Sequence, residues 1–206
     1  MPRTEGQKAR LLALLKILAC KTDSEHRLST PALLRMLEEA GYAAERKSVY
    51  NDILALQQEG YDIELARGRG GGYWLASRTF ELPELKLLMD AVQASRFITR
   101  RKSEQLIHKL EGLASEHEAK QMQRQVFVAN RVKTMNESIY YNVDALHSAI
   151  SENQQVSFLY LEWTLQKQKQ PRRGGERYQV SPWALAWDSD NYYLIAHEEG
   201  RGIRHY

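Results

Sequence analysis

Over residues 7–20, QKARLLALLKILAC, apolar side chains recur at helical spacing, with Leu11, Leu14, Leu15 and Leu18 on one stripe. A polar connection, KTDSEHR, separates this from a second helical pattern, LSTPALLRMLEEAGY, in which Leu33, Leu34, Leu37 and Ala40 form the buried stripe. Thr30 is expected as its N-cap, Pro31 suits the first helical position, and Gly41 ends the run. After the short link YAAE, the stretch RKSVYNDILALQQEG repeats Val49, Ile53 and Leu56 at core-facing spacing, and Gly60 closes it. Arg46, Lys47, Tyr50, Asn51 and Gln57 fall largely on its other faces. YDIELARGRGGGYWLAS then reads as strand, turn, strand, because RGRGGG permits only a turn or a flexible tip.

Three short helices, a tight link between the second and third, and a hairpin make a winged helix-turn-helix layout over residues 1–78. From Glu81 to about Gln125 the periodicity stays helical. Leu85, Leu88, Met89, Val92 and Phe97 form one stripe, and Leu106, Leu110 and Leu113 another. This predicts a connecting or dimer-forming helical layer over 79–136, with 126–143 as a linking stretch. VDALHSAISENQ is a further helix carrying Val143, Leu146 and Ile150. VSFLYLEW, RYQVSPWALAW and NYYLIAHEE alternate as strands, QKQKQPRRGGE is a polar turn, and GIRHY begins another strand. One helix followed by antiparallel strands predicts a small barrel or curled sheet over 137–206. The fold class is therefore α+β.

Composition adds bounds. A formal net charge of +3 permits a polyanionic partner, and only clustering of the cations gives it a local field. A single cysteine, Cys20, excludes an internal disulfide and reads as a buried thiol in a reducing compartment. Lys16 breaks the Leu11–Cys20 run, and no window approaches the roughly 18 apolar residues of a membrane span, so a soluble cytoplasmic protein without a membrane partner is expected.

Chemistry concentrates in two places. The third helix begins with Arg46, Lys47, Ser48, Tyr50 and Asn51, the cationic and hydrogen-bonding set with which a recognition helix enters a major groove of double-stranded DNA. The glycine-framed hairpin tip adds Arg67 and Arg69, suited to a neighbouring groove or backbone. GRGGGY lacks the Lys-Ser/Thr and following helix of a nucleotide phosphate loop. In the C-terminal half, Tyr192 and Tyr193 alternate to opposite faces. One packs the sheet, and the other, with Ser181 and Arg204 on flanking strands, lines a ligand groove, unless both pack the core. His197 and Arg177 are weaker candidates, and Lys167, Lys169, Arg172 and Arg173 lie in a basic turn. The six histidines show no metal-ligand spacing, and nothing frames Ser181 with His197 as a nucleophile and base, so neither a metal, a cofactor nor an enzyme is expected.

ERKSVYNDILAL, EGYDI and GGGYWL resemble the DNA-binding half of bacterial DeoR-like regulators that join an N-terminal winged helix to a C-terminal WYL domain. VSFLYLEW, YQVSPWALAW, NYYLIAHEE and IRHY are similar in order and spacing to that domain, with Tyr192-Tyr193-Leu194 at the Trp-Tyr-Leu triplet and Ser181-Pro182-Trp183 at the usual Ser-Pro-Tyr. Asn51 stands where the family often has Arg. The resemblance implies an Sm/SH3-like barrel, partial here because the chain ends at Tyr206 inside a strand, and hence a truncated chain with an open sheet edge. It also implies a transcriptional regulator, a homodimer, and an effector pocket for a nucleotide or oligonucleotide involving Ser181, Tyr192, Tyr193, His197 and Arg204. A single-stranded nucleic-acid-binding module without operator control is the alternative.

Overall fold

A computed structural model describes residues 3–122, 133–136 and 138–206, with side chains from Gly6 onward at the N-terminal end. The chain is a mixed helix and sheet protein that divides into two compact units, Met1–Gln93 with Glu104–Ala129, and Ala94–Ser103 with Asn130–Tyr206.

In the first unit, helices α1 (Arg3–Lys21), α2 (Thr30–Glu39) and α3 (Arg46–Gln58) precede a hairpin of β1 (Ile63–Ala66) and β2 (Gly72–Leu75). Their apolar stripes meet in one core, where Leu14, Leu18, Leu33, Leu37 and Val49 are fully buried. Ser29, rather than Thr30, is the N-cap of α2, its side chain accepting from the Ala32 N–H, with Thr30 and Pro31 inside the first turn. The hairpin gains a one-residue third strand. Leu28 exchanges backbone hydrogen bonds of 2.9 and 2.8 Å with Tyr73. Thr22 locks the end of α1 to this hairpin, donating to the Leu18 carbonyl and accepting from the Leu75 N–H, while Arg78 donates to the carbonyls of Ala19 and Thr22.

The expected continuous helical pattern from Glu81 to Gln125 is interrupted. It forms α4 (Leu82–Ala94), α5 (Arg100–Glu111) and α6 (Glu116–Met122), while 123–125 lie outside the described residues. Side chains start the later two. Thr99 accepts from the Lys102 N–H, and Ser115 and Glu118 form a reciprocal capping box. Of the expected linking stretch 126–143, residues 126–132 and 137 are outside the described residues, and 138–143 open the next helix, α7 (Ser138–Ser151).

The second unit holds a four-stranded antiparallel sheet in the order β3 (Val156–Phe158), β6 (Tyr178–Asp188), β7 (Asn191–Glu198), β8 (Gly202–His205). Leu146 of α7 packs on its inner face against Val180, Leu194 and Ala196. Among the described residues β3 and β8 are the edges of this sheet. The single strand expected over 156–163 is two. The chain leaves the sheet after Phe158, and β4 (Leu161–Trp163) pairs with β5 (Lys169–Pro171) in a separate hairpin. Phe158 has core neighbours to pack against and Leu161 does not, which alternation alone cannot distinguish. The expected polar turn QKQKQPRRGGE thus contains β5 and a tight turn, Arg172–Gly175, in which Arg173 takes a left-handed backbone (φ 52°, ψ 38°).

Candidate nucleic-acid interface and ligand cavity

Burial on α3 falls on Val49, Asp52, Ile53 and Leu56, which leaves the opposite side of the helix to Lys47, Tyr50, Asn51, Leu54 and Gln58. Arg46 lies at one margin of that side and Ser48, half buried, at the other. Ser48 and Asn51 border an open groove of about 790 Å³ that is also lined by Arg10, Gly41 and Tyr42. Leu54 was not a sequence candidate, yet it is 56% exposed in the middle of the polar face. The signal was available, because position 54 falls outside the core stripe of its own helix. Gln57 is drawn into structure instead, donating at 2.6 Å to the Ile63 carbonyl.

The helix is held from behind. Arg10 on α1 donates twice to the buried carboxylate of Asp52, at 2.7 and 3.1 Å. Tyr50 lies close enough to Tyr73 of the hairpin to act on its titration. Burial first, and Tyr50 second, raise the Tyr73 hydroxyl. The hairpin tip carries Arg67 and Arg69, both exposed, with Arg67 just before and Arg69 just after the positive-φ Gly68, and Gly70, also positive-φ, following Arg69. Among the described residues, Arg46, Lys47, Arg67 and Arg69 form no ion pair and no side-chain hydrogen bond. Four cations on the third helix and the tip are therefore available to an external anion.

The C-terminal candidates separate onto two faces of the sheet. Register pairs Ser181 with His197 and His197 with Ile203, and these share the outer face with Tyr193, which is 40% exposed. Trp183 joins them, its ring stacked on His197 at 6.4 Å between centroids. The Ser181 hydroxyl accepts from Gln155. Tyr192 lies on the inner face in an edge-to-face cluster with Phe97 and Trp187, at 5.3 and 4.7 Å. Arg204 pairs with Ala196 and so also belongs to the inner face, four residues along β7 from Tyr192, roughly 13 Å at strand rise. The expected grouping of one of the two tyrosines with both Ser181 and Arg204 is thus divided between the faces. Tyr193 and Ser181 share a face that Arg204 does not, because the alternation across β7 and β8 sends them to opposite sides. A bulge between Pro182 and Ala184 turns Trp187 inward beside Tyr192.

Arg204 instead lines a cavity of about 460 Å³ together with Arg172, Arg173 and Arg201, with Tyr160, Tyr178 and Tyr206 as its aromatic wall. Glu198 is the sole acid among the described residues that line it. Its carboxylate accepts from Arg173 at 2.8 Å and from the Tyr206 hydroxyl at 2.9 Å, and lies 3.9 Å from Arg201. The Arg173 hydrogen bond holds the Glu198 carboxyl below its ordinary value against the opposing effect of burial. Burial and then Glu198 push the Tyr206 hydroxyl up to about 12. Arg173 also lies over the Tyr178 ring, its Cζ 4.0 Å from the centroid, and Arg172 pairs with Glu162 at 3.5 Å. Arg204 forms no ion pair among the described residues. Four guanidiniums against Glu198 in the cavity and Glu162 beside Arg172 leave a local excess of positive charge, flanked by π faces, that suits an anionic ligand.

Among the described residues no helix is long and apolar enough to cross a membrane. No curated protein matches the chain. Among solved structures it is similar to proteasome accessory factor B/C (PafBC) of Arthrobacter aurescens, 18% identical over 98% of this chain and 31% of that one, with a TM-score of 0.26. The chain spans about a third of the length of that protein. Residues 141–206 match the family model described as the WYL domain, a span that takes in most of α7 and the sheet that carries both faces and the arginine cavity.

Proposed function

We infer that the protein is a DNA-binding transcriptional regulator in which residues 1–78 act as a winged helix-turn-helix on double-stranded operator DNA and the WYL domain, a partial Sm/SH3-like barrel, senses an anionic effector. The observation that carries this is the set of cations at α3 and the hairpin tip, Arg46, Lys47, Arg67 and Arg69, unpaired among the described residues, around a polar helix face. Asn51 offers bidentate hydrogen bonding to adenine, Leu54 an apolar contact for a thymine methyl group, and the cations charge-assisted bonds to phosphates. Glu45, the N-cap of α3, makes no side-chain cap hydrogen bond, so the first N–H groups of the helix are also available to a phosphate. A homodimer is expected, since one recognition helix spans too few base pairs for genomic specificity and a second half-site multiplies it. Effector control requires that the ligand favour one of two arrangements of the regulator over the other.

A second reading, a single-stranded nucleic-acid-binding module, is favoured by the outer face of the sheet, where Trp183, His197 and Tyr193 offer exposed rings on which bases can stack. Selection from a random duplex pool separates the two. The regulator enriches a two-fold symmetric motif with half-sites about one helical turn, roughly 10 base pairs, apart. Absence of any enriched duplex, with single strands competing better than all duplexes, favours the module.

A further inference from the structure

The arginine cavity contains its own anion. Glu198 ends β7 with its side chain turned to the inner face, 8% exposed, where a strand end would ordinarily place an acid in water. It accepts from Nη1 of the Arg173 guanidinium, which also lies over the Tyr178 ring, so an incoming anion meets a carboxylate already bonded to this arginine. Arg173 in turn belongs to a turn of three consecutive positive-φ residues, Arg173, Gly174 and Gly175, of which only the first bears a side chain that resists this conformation. The ion pair with Glu198 and the contact with Tyr178 are the side-chain contacts that Arg173 makes from this conformation among the described residues. The same turn is joined to the β4–β5 hairpin through the hydrogen bond from the Arg172 N–H to the Tyr160 carbonyl, 2.8 Å.

We propose that Glu198 is an internal stand-in for a phosphate group of the ligand, which enters by displacing this carboxylate from Arg173 and so frees the 172–175 turn from β7. The proposal rests on reading the cavity as the effector site and goes beyond it in naming what keeps the site shut. A phosphate wins the exchange because it brings more acceptor oxygens than a carboxylate and engages Arg204 and Arg201 together with Arg173. The released turn carries the change to the exposed Trp163 of β4, on which Lys169 rests at 5.2 Å.

The test is calorimetric titration of the full chain with inorganic phosphate, a mononucleotide 5′-phosphate and a dinucleoside phosphodiester, in the wild type and in Glu198→Gln, Arg173→Ala and Arg204→Ala. Glu198→Gln is expected to bind about tenfold tighter than the wild type, since it removes the competing charge-assisted bond. Arg173→Ala is expected to lose binding. Should Glu198→Gln fail to fold, Tyr206→Phe removes one of the carboxylate's two side-chain hydrogen bonds and carries the same expectation as a severalfold gain. Tightening with the monoester assigns a terminal phosphate and tightening with the diester a backbone phosphate, and either supports displacement. Glu198→Gln binding no tighter than wild type, while Arg204→Ala loses binding, overturns the stand-in and leaves the cavity as an anion site. Phosphate binding to neither wild type nor Glu198→Gln overturns the stand-in and the anionic effector together, whatever the DNA affinity.

Discussion

Arg10 on α1 holds the buried carboxylate of Asp52 on α3 through two hydrogen bonds, across 42 residues of sequence. Most of the α3 surface that faces outward therefore depends on a pair that faces inward. Asp52 is 3% exposed, so truncating it leaves a partly buried guanidinium without its carboxylate. Asp52→Ala is expected to lower unfolding stability by about 3 kcal/mol, read from urea denaturation. Duplex affinity is expected to fall with it, although no side chain on the outer face has changed.

Two glycines of the hairpin separate steric from conformational cost. A Cβ on Gly72 would lie 2.5 Å from the Leu28 carbonyl carbon, so Gly72→Ala must break the Leu28–Tyr73 bridge. Gly70 has open space around it but φ of +78°, so Gly70→Ala costs only the left-handed backbone, about 1 kcal/mol. Thermal unfolding is expected to show a small loss for Gly70→Ala and a larger one for Gly72→Ala. Equal losses would mean that the bridge contributes nothing.

Asp23 gives the first unit an acid limit. Burial acts to raise its carboxyl, but hydrogen bonds from Ser115, the His26 side chain and the His26 and Glu25 N–H groups together hold it below the ordinary value. A carboxyl lowered on folding contributes stability that is present above the unfolded value, about 3.9, and is lost as pH falls through the folded one. The stability gap between wild type and Asp23→Asn is expected to shrink as pH falls below about 4. A gap independent of pH would show that Asp23 acts as a hydrogen-bonding frame regardless of charge.

Leu54 makes a sharper point about readout. Leu54→Ala removes an exposed apolar side chain from α3, so stability should hardly change. If it touches a thymine methyl group, discrimination at one base pair drops by about 1 kcal/mol while the salt dependence of binding stays as in the wild type. Competition between duplexes differing at that base pair measures it.

The elements of the first unit were legible because their determinants are local. Val49, Ile53 and Leu56 repeat within one helix, and Gly41 and Gly60 mark its neighbours' ends and its own by backbone preference alone. The breaks at Thr99 and Ser115 were legible too, as capping residues ahead of helical patterns, but an unbroken apolar periodicity masks them. The two faces of the C-terminal sheet were not legible. Which side Arg204 takes depends on its register against Ala196, and Trp187 joins Tyr192 only through a bulge that has no sequence mark. Glu198 was missed for a related reason. A glutamate at a strand end reads as a solvated residue until Arg173, 25 positions earlier, is folded onto it.

The central claim is that α3 reads DNA with phosphate contacts from its own cations. Salt-dependent anisotropy of a labelled duplex from upstream of the gene tests it, with wild type and Arg46→Ala/Lys47→Ala. The account predicts specific wild-type binding that weakens steeply with salt, and a double variant that binds more weakly with a slope shallower by about two, one for each cation removed from a phosphate. Binding in the double variant with the same affinity and the same slope would contradict it, and would place the nucleic-acid interface away from this helix.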